Sequence, residues 1–159
     1  MRLTRAAAFA FSSTLPLEHR EAAERILFFN LQQEKVKDGI RVVSETYGLP
    51  KLVPDASGER LHMTVSKDVA VQTLFVTVRG IGGIAGPVGA IVFTRHEDAL
   101  IALYMAVHED FSATGKHAGE KLMVKMLKEL ESIARRVRGV DTLKLYLGGQ
   151  TPVAKKVRR

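Results

Sequence analysis

PVGAIVFTR (87–95), ALIALYMAV (99–107), SATGKHAG (112–119), EKLMVKMLKELESIARRVRG (120–139) and VDTLKLYLG (140–148) decide how this chain folds. The first two runs are apolar and suit β-strands, and RHED at 95–98 supplies the turn between them. A loop holding Gly115 and Gly119 follows. The spacing after it predicts a helix over 117–138 that buries Leu122, Met126, Leu130, Ile133 and Val137, widened by Met123, Leu127 and Ala134. Lys121, Lys125, Lys128, Glu131 and Arg135 fall on its outer face, and Gly139 stops it. Residues 141–147 read as one more strand, most simply parallel to 99–107 because a helix crosses between them. A strand that feeds a helix through a glycine-bearing loop gathers free backbone N–H groups at the positive end of the helix dipole, where an anion is favoured.

Working outward, QTLFVTVR (72–79) is a β-branched strand. With 87–95 and 99–107 it forms an antiparallel meander. GIGGIAG (80–86) is followed by a strand rather than a helix, so it reads as a hairpin turn and not as a dinucleotide loop. Residues 61–66 suit a short strand, and 51–59, with Pro54, Asp55, Ser57 and Gly58, suit a loop. Upstream, Thr14 and Pro16 with Glu18 and Glu21 read as a helix start. Ala22, Ile26, Phe29, Val36, Ile40, Val43 and Tyr47 then make an apolar stripe, broken only by Gln33. Asp38-Gly39 divides this stripe into two helices, or the run is one long helix. Gly48 and Pro50 end it. The first residues suit a strand, with Phe9 and Phe11 on one face, better than a signal peptide.

The chain has 159 residues, which suits one domain over 1–150 and a basic tail over 151–159. It contains no Cys, which excludes disulfides, thiolate catalysis and zinc–sulfur sites. No run approaches the ~20 apolar residues of a membrane span, so no membrane partner is expected. The net charge is +7, part of it in Lys155, Lys156, Arg158 and Arg159 and part around Arg135, Arg136 and Arg138. These positions suit solvated faces, attraction to an anionic ligand, or a basic nucleic-acid-binding domain. Trp is absent, so stacking platforms are not evident. His96, His108 and His117 show no metal-ligand spacing, and no metal site is expected.

Four pieces of the central run resemble the GCN5-related N-acetyltransferases. GPVGAIV (86–92) is similar to that family's third strand, and LYMAVHEDF (103–111) to its fourth strand and the start of its acyl-CoA loop. GEKLM (119–123) is similar to the first turn of its pyrophosphate-binding helix, and 140–147 to its fifth strand. The family loop reads Arg/Gln-x-x-Gly-x-Gly/Ala. Counting back from Leu122 and Met123 puts Gly119 in the second glycine slot, with His117 in the first and Thr114 at Arg/Gln. Counting forward from Phe111 puts Gly115 in the first slot and Ser112 at Arg/Gln. The loop is therefore a degenerate version of the signature.

The resemblance implies a mixed, mostly antiparallel α+β (or α/β) sheet with two N-terminal helices and one long crossing helix. It implies acetyl-CoA as cofactor and an N-acetyltransferase acting on a small-molecule or protein amine. Pantetheine would lie along Met105, Ala106 and Val107, and the pyrophosphate on backbone amides among Thr114, Gly115, Lys116, His117, Ala118, Gly119 and Glu120. His108 and Glu109, at the end of the strand beside the thioester, are the candidate bases, with Asp110 next to them. The family usually adds a helix and two strands after its fifth strand, where this chain has only GGQTPVA and the basic residues. That shortening predicts an open sheet edge, covered by a partner chain or a homo-oligomer. It also leaves a second reading, a GNAT-like binding or assembly module, such as a phage structural protein, without catalysis. The expected compartment is the cytoplasm.

Overall fold

The computed structural model describes residues 8–28, 45–48, 50–65, 69–79, 86–146 and 152–157. In chain order the elements are β1 (Ala8–Ser12), β2 (Leu15–Pro16), α1 (Arg20–Phe28), β3 (Pro50–Pro54), β4 (Arg60–Val65), β5 (Gln72–Arg79), β6 (Gly89–His96), β7 (Ala99–Val107), α2 (Leu122–Arg136), β8 (Thr142–Leu145) and β9 (Val153–Lys156). The main sheet has six strands in the order β1-β5-β6-β7-β8-β9, and β2-β4-β3 form a second sheet. Every pairing is antiparallel except β7 with β8, which α2 joins as a crossover. The fold is thus α+β with a mostly antiparallel sheet and one long helix, as the central run predicts.

The central strands of the main sheet, β6 and β7, are apolar on both faces because both are covered. On one face α2 lays Leu122, Met126, Leu130 and Ala134 over Val76, Ile91, Phe93, Leu100, Ala102, Leu143 and Leu145. Those helix positions recur every four residues, so they form one stripe. Burying Leu122, Met126 and Leu130, each 0% exposed, stabilises by about 1.5–3 kcal/mol apiece. Gly89 lets the helix come close: a Cβ there would stand 2.9 Å from the Met126 sulfur. On the other face α1 brings Ala23, Ile26 and Leu27, and the small sheet brings Leu15, Leu52, Leu61, Met63 and Val65, against Phe75, Ala90, Val92, Ile101, Leu103 and Ala106.

Several expectations shift. The expected loop at 51–59 begins with β3, whose Leu52 and Val53 pair with Met63 and His62 of β4. Thr14 does not cap a helix at 15. Its Oγ1 accepts from Arg60 Nε at 2.6 Å, Leu15 and Pro16 pair with β4, and α1 begins at Arg20 after a 3-10 turn over Leu17–His19. The long helix begins at Leu122 and ends at Arg136, not at 117 and 138. Lys121 stops it from reaching further back, because its left-handed backbone (φ 52, ψ 48) separates a 3-10 turn over Ala118–Glu120 from the α-helix. Met123 is exposed rather than core. Whether 29–44 form one helix or two lies outside the described residues.

The C-terminal segment overturns the expected open edge at β8. Residues 153–156 of the basic tail pair along the whole of that strand, Val153 with Leu145 through Lys156 with Thr142. Lys155 Nζ donates to Glu131 Oε2 of α2 at 3.0 Å, and Arg135 pairs with the same carboxylate at 3.2 Å. Part of the tail's charge therefore fastens the last strand to the helix. No helix among the described residues is long and apolar enough to cross a membrane.

Candidate functional site

The feature that organises the site is an irregularity in β7. Val92 of β6 faces Tyr104, but the next residue, Phe93, faces Ala102, so Leu103 is an extra residue. An inserted residue bends its strand and flips the alternation beyond it. Leu103 and Tyr104 accordingly both join the core on the α1 side. Among the described residues the β7–β8 ladder runs from Ala99–Thr142 to Ala102–Leu145, and β7 continues to Val107. Met105, Ala106 and Val107 lie past this point, held on their other side by Ile91, Ala90 and Gly89 of β6.

The loop after β7 is folded on itself. The His108 N–H donates to the Val88 carbonyl at 2.7 Å, which anchors the loop to the end of β6. Residues Glu109–Phe111 form a 3-10 turn. Phe111 is buried, edge-on to Phe9 with ring centroids 5.8 Å apart, and the His117 ring lies over it at 5.1 Å. The Gly115 N–H donates to the Ser112 carbonyl, His117 to Asp110, Ala118 to Gly115, Glu120 to His117 and Lys121 to Ala118. Most of the amides expected to face a pyrophosphate are thus used within the loop. The two glycines also differ. A Cβ at Gly115 would overlap the Glu109 and Asp110 carbonyl oxygens, so this glycine serves the loop's own packing. A Cβ at Gly119 would meet nothing within 4 Å. The amides that geometry leaves without intrahelical acceptors are those of Leu122, Met123 and Val124, in the first turn of α2. Thr114 and Lys121 are exposed; Lys116 pairs with Asp110 at 3.6 Å and Lys125 with Glu120 at 3.9 Å.

The two candidate bases are placed differently. His108 Nδ1 accepts the Asp110 N–H at 3.1 Å, capping the 3-10 turn, and stands 3.8 Å from the Asp110 carboxylate. A neutral imidazole that accepts at Nδ1 carries its proton on Nε2, so His108 can take a further proton only by giving up the cap. The Glu109 side chain is exposed, and its carbonyl accepts from the Ser112 hydroxyl at 2.7 Å. Among the described residues no group of three His, Asp or Glu side chains is placed to hold a metal.

A second cluster was not read from the sequence. Tyr104 donates from its hydroxyl to the Gly48 carbonyl at 3.2 Å, which fixes the residue after Tyr47. Tyr47 and Tyr146 are half-buried against the same α1-side core. Burial, and then the neighbouring Tyr146, push the Tyr47 phenol above its ordinary range. The three tyrosines of the chain therefore converge on the α1 side of the sheet. Alternation along 142–146 could have placed Tyr146 and Lys144 on one face. Tyr104 could not have been found, because the bulge reverses its face.

No family model matches the chain, and neither does any curated protein or solved structure.

Proposed function

We propose that the chain is an acyl-CoA-dependent N-acetyltransferase acting on an amine acceptor in the cytoplasm, a relative of the GCN5-related N-acetyltransferases. The observation that carries this reading is the Leu103 bulge, which lies directly before Met105, Ala106 and Val107 in β7. A bulge re-aims the strand beyond it, and bulges concentrate next to active sites.

Acetyl-CoA would supply the acyl group as a thioester. The chain's own residues have three tasks. The main chain of Met105, Ala106 and Val107, past the bulge, orients an extended ligand as a further strand would. The first-turn amides of α2, with Lys121 and the open space at Gly119, receive the diphosphate. This shifts the anion site from the loop, whose amides are used internally, to the start of the helix. Glu109, exposed at the strand end, takes the proton that the amine nitrogen loses on attacking the carbonyl carbon. The carbon–sulfur bond then breaks and the thiolate is protonated from water. Holding amine and thioester together accounts for most of the acceleration in this scheme.

The geometry of His108 favours a second reading, in which the chain binds the ligand without turnover as a binding or assembly module. Its Nδ1 is committed to the Asp110 amide, so it offers no base. Calorimetry with acetyl-CoA, followed by thiol release with a panel of primary amines, separates the two. Binding with turnover lost in Glu109→Gln supports the transferase. Binding without turnover leaves the module, and no binding removes both.

A further inference from the structure

The outer face of α2 carries a stripe of cations. Lys125, Lys128, Ser132 and Arg135 are spaced by three, four and three residues, so they share the side turned away from the sheet. The opposite side, with Leu122, Met126, Leu130 and Ala134, is buried. Lys125, Lys128 and Arg135 are all exposed. The helix has two carboxylates, Glu129 and Glu131, against four cations. Both carboxylates are taken. Arg136 stands 3.9 Å from Glu129, and Glu131 serves Arg135 at 3.2 Å and Lys155 of β9 at 3.0 Å. Two cations on one carboxylate leave one positive charge uncompensated. Lys125 lies 3.9 Å from Glu120, a pair at the solvent surface that holds it only weakly. Lys128 has no carboxylate partner among the described residues.

We propose that this stripe, Lys125, Lys128 and Arg135 with Lys155 beside it, binds the phosphate backbone of a nucleic-acid duplex without reading its sequence. From Lys125 to Arg135 the helix rises about 15 Å, over which one strand of a duplex presents about four phosphates. The choice of occupant follows from what the face lacks. A lipid surface needs the apolar side of a helix, and that side of α2 is spent on the sheet. A protein partner needs aromatic or large apolar anchors, whereas the exposed apolar residues of α2 are Met123 and Val124, both in its first turn. A single strand is held by stacking on aromatic rings, and neither α2 nor β9 carries one. What the face offers is a row of ammonium and guanidinium groups, which matches a row of phosphates and gains from the release of their counterions. It uses none of the residues assigned to acetyl-CoA, so the inference stands apart from the transferase reading.

The test is fluorescence anisotropy of a labelled duplex of mixed sequence, titrated with the full chain over a series of salt concentrations. Three or four phosphate contacts give a slope of about −3 in log Kobs against log salt. A second duplex of unrelated sequence should be bound equally well. Lys128→Gln should flatten the slope by about 1 and weaken binding about tenfold at about 0.1 M salt. Lys51→Gln makes the same change in net charge at an exposed position of β3, and should leave affinity and slope as in the parent. Both substitutions are at the surface, so equal urea midpoints should confirm intact folding. No binding of duplex by the parent, a slope near zero, or an equal loss in Lys51→Gln and Lys128→Gln overturns the proposal. Binding to phosphatidylserine vesicles without binding to duplex overturns it as well, and so does a preference for a single strand of the same length. Duplex binding by a protein that ignores acetyl-CoA keeps this surface and removes only the transferase reading.

Discussion

Replacing Gly115 with Ala tests how the loop between β7 and α2 is held. The added Cβ would overlap two main-chain oxygens, those of Glu109 and Asp110, and main-chain atoms cannot rotate aside as a side chain can. The turn must open to admit it. The bonds that close the turn are His117 N–H to the Asp110 carbonyl at 2.7 Å, Gly115 N–H to the Ser112 carbonyl at 3.0 Å, and the Ser112 hydroxyl to the Glu109 carbonyl at 2.7 Å. Each is worth about 0.5–1.5 kcal/mol net, so losing two or three costs about 2–3 kcal/mol. Strain from overpacking alone spans about 1–3 kcal/mol. The expected destabilisation is therefore about 2–4 kcal/mol, a large part of a typical domain's stability. Urea unfolding should show the midpoint fall by about 1–2 M with the slope m unchanged. Gly119→Ala is the control: nothing lies within 4 Å of its Cβ, so the midpoint should stay near that of the parent. A Gly115→Ala midpoint within about 0.3 M of the parent would refute the packing argument.

Leu130→Ala, at a position 0% exposed beneath α2, should cost about 2–5 kcal/mol by urea unfolding, whereas Val124→Ala, 46% exposed on the same helix, should stay within about 0.5 kcal/mol. Glu131→Gln should loosen β9: hydrogen bonds from Lys155 and then Arg135 hold the Glu131 carboxyl below its usual range. A lowered folded-state value means the stabilisation is complete above the unfolded carboxyl range, about pH 4.3, and is lost as pH falls through the folded value. The variant should therefore lose under about 1 kcal/mol at neutral pH and show a flatter stability curve in acid, and amide exchange in 153–156 should quicken. Removing the Nδ1 acceptor with His108→Ala should cost about 1 kcal/mol, and His108→Asn, which keeps an acceptor near the Asp110 amide, should recover most of it.

The covered sheet and its long helix were legible because burial imposes periodicity. Residues 89–93 and 99–107 are apolar at nearly every position, which happens when both faces are packed. Leu122, Met126, Leu130 and Ala134 repeat every four residues because one side of a helix must face a core. The parallel register of β8 followed from the crossover helix. The candidate site was legible only as a location, the junction of strand, loop and helix.

What the junction offers was decided in three dimensions. Two glycines of the same type proved unlike: Gly115 is pressed against main-chain oxygens and Gly119 faces open space, a difference set by how the loop closes and not by the residue. Lys121 took a left-handed backbone and moved the helix start past the expected residue, because the 3-10 turn before it uses the amides a longer helix would need. The tail became β9, since an open strand edge and the Glu131 carboxylate bind it more favourably than water does. The bulge at Leu103 sent Tyr104 to the α1 side. Sequence periodicity determined which faces are buried, because transfer of apolar side chains from water depends on residue type and spacing alone. Tertiary structure decided which polar groups remain unspent, because hydrogen bonds and charges are satisfied by partners distant in the chain.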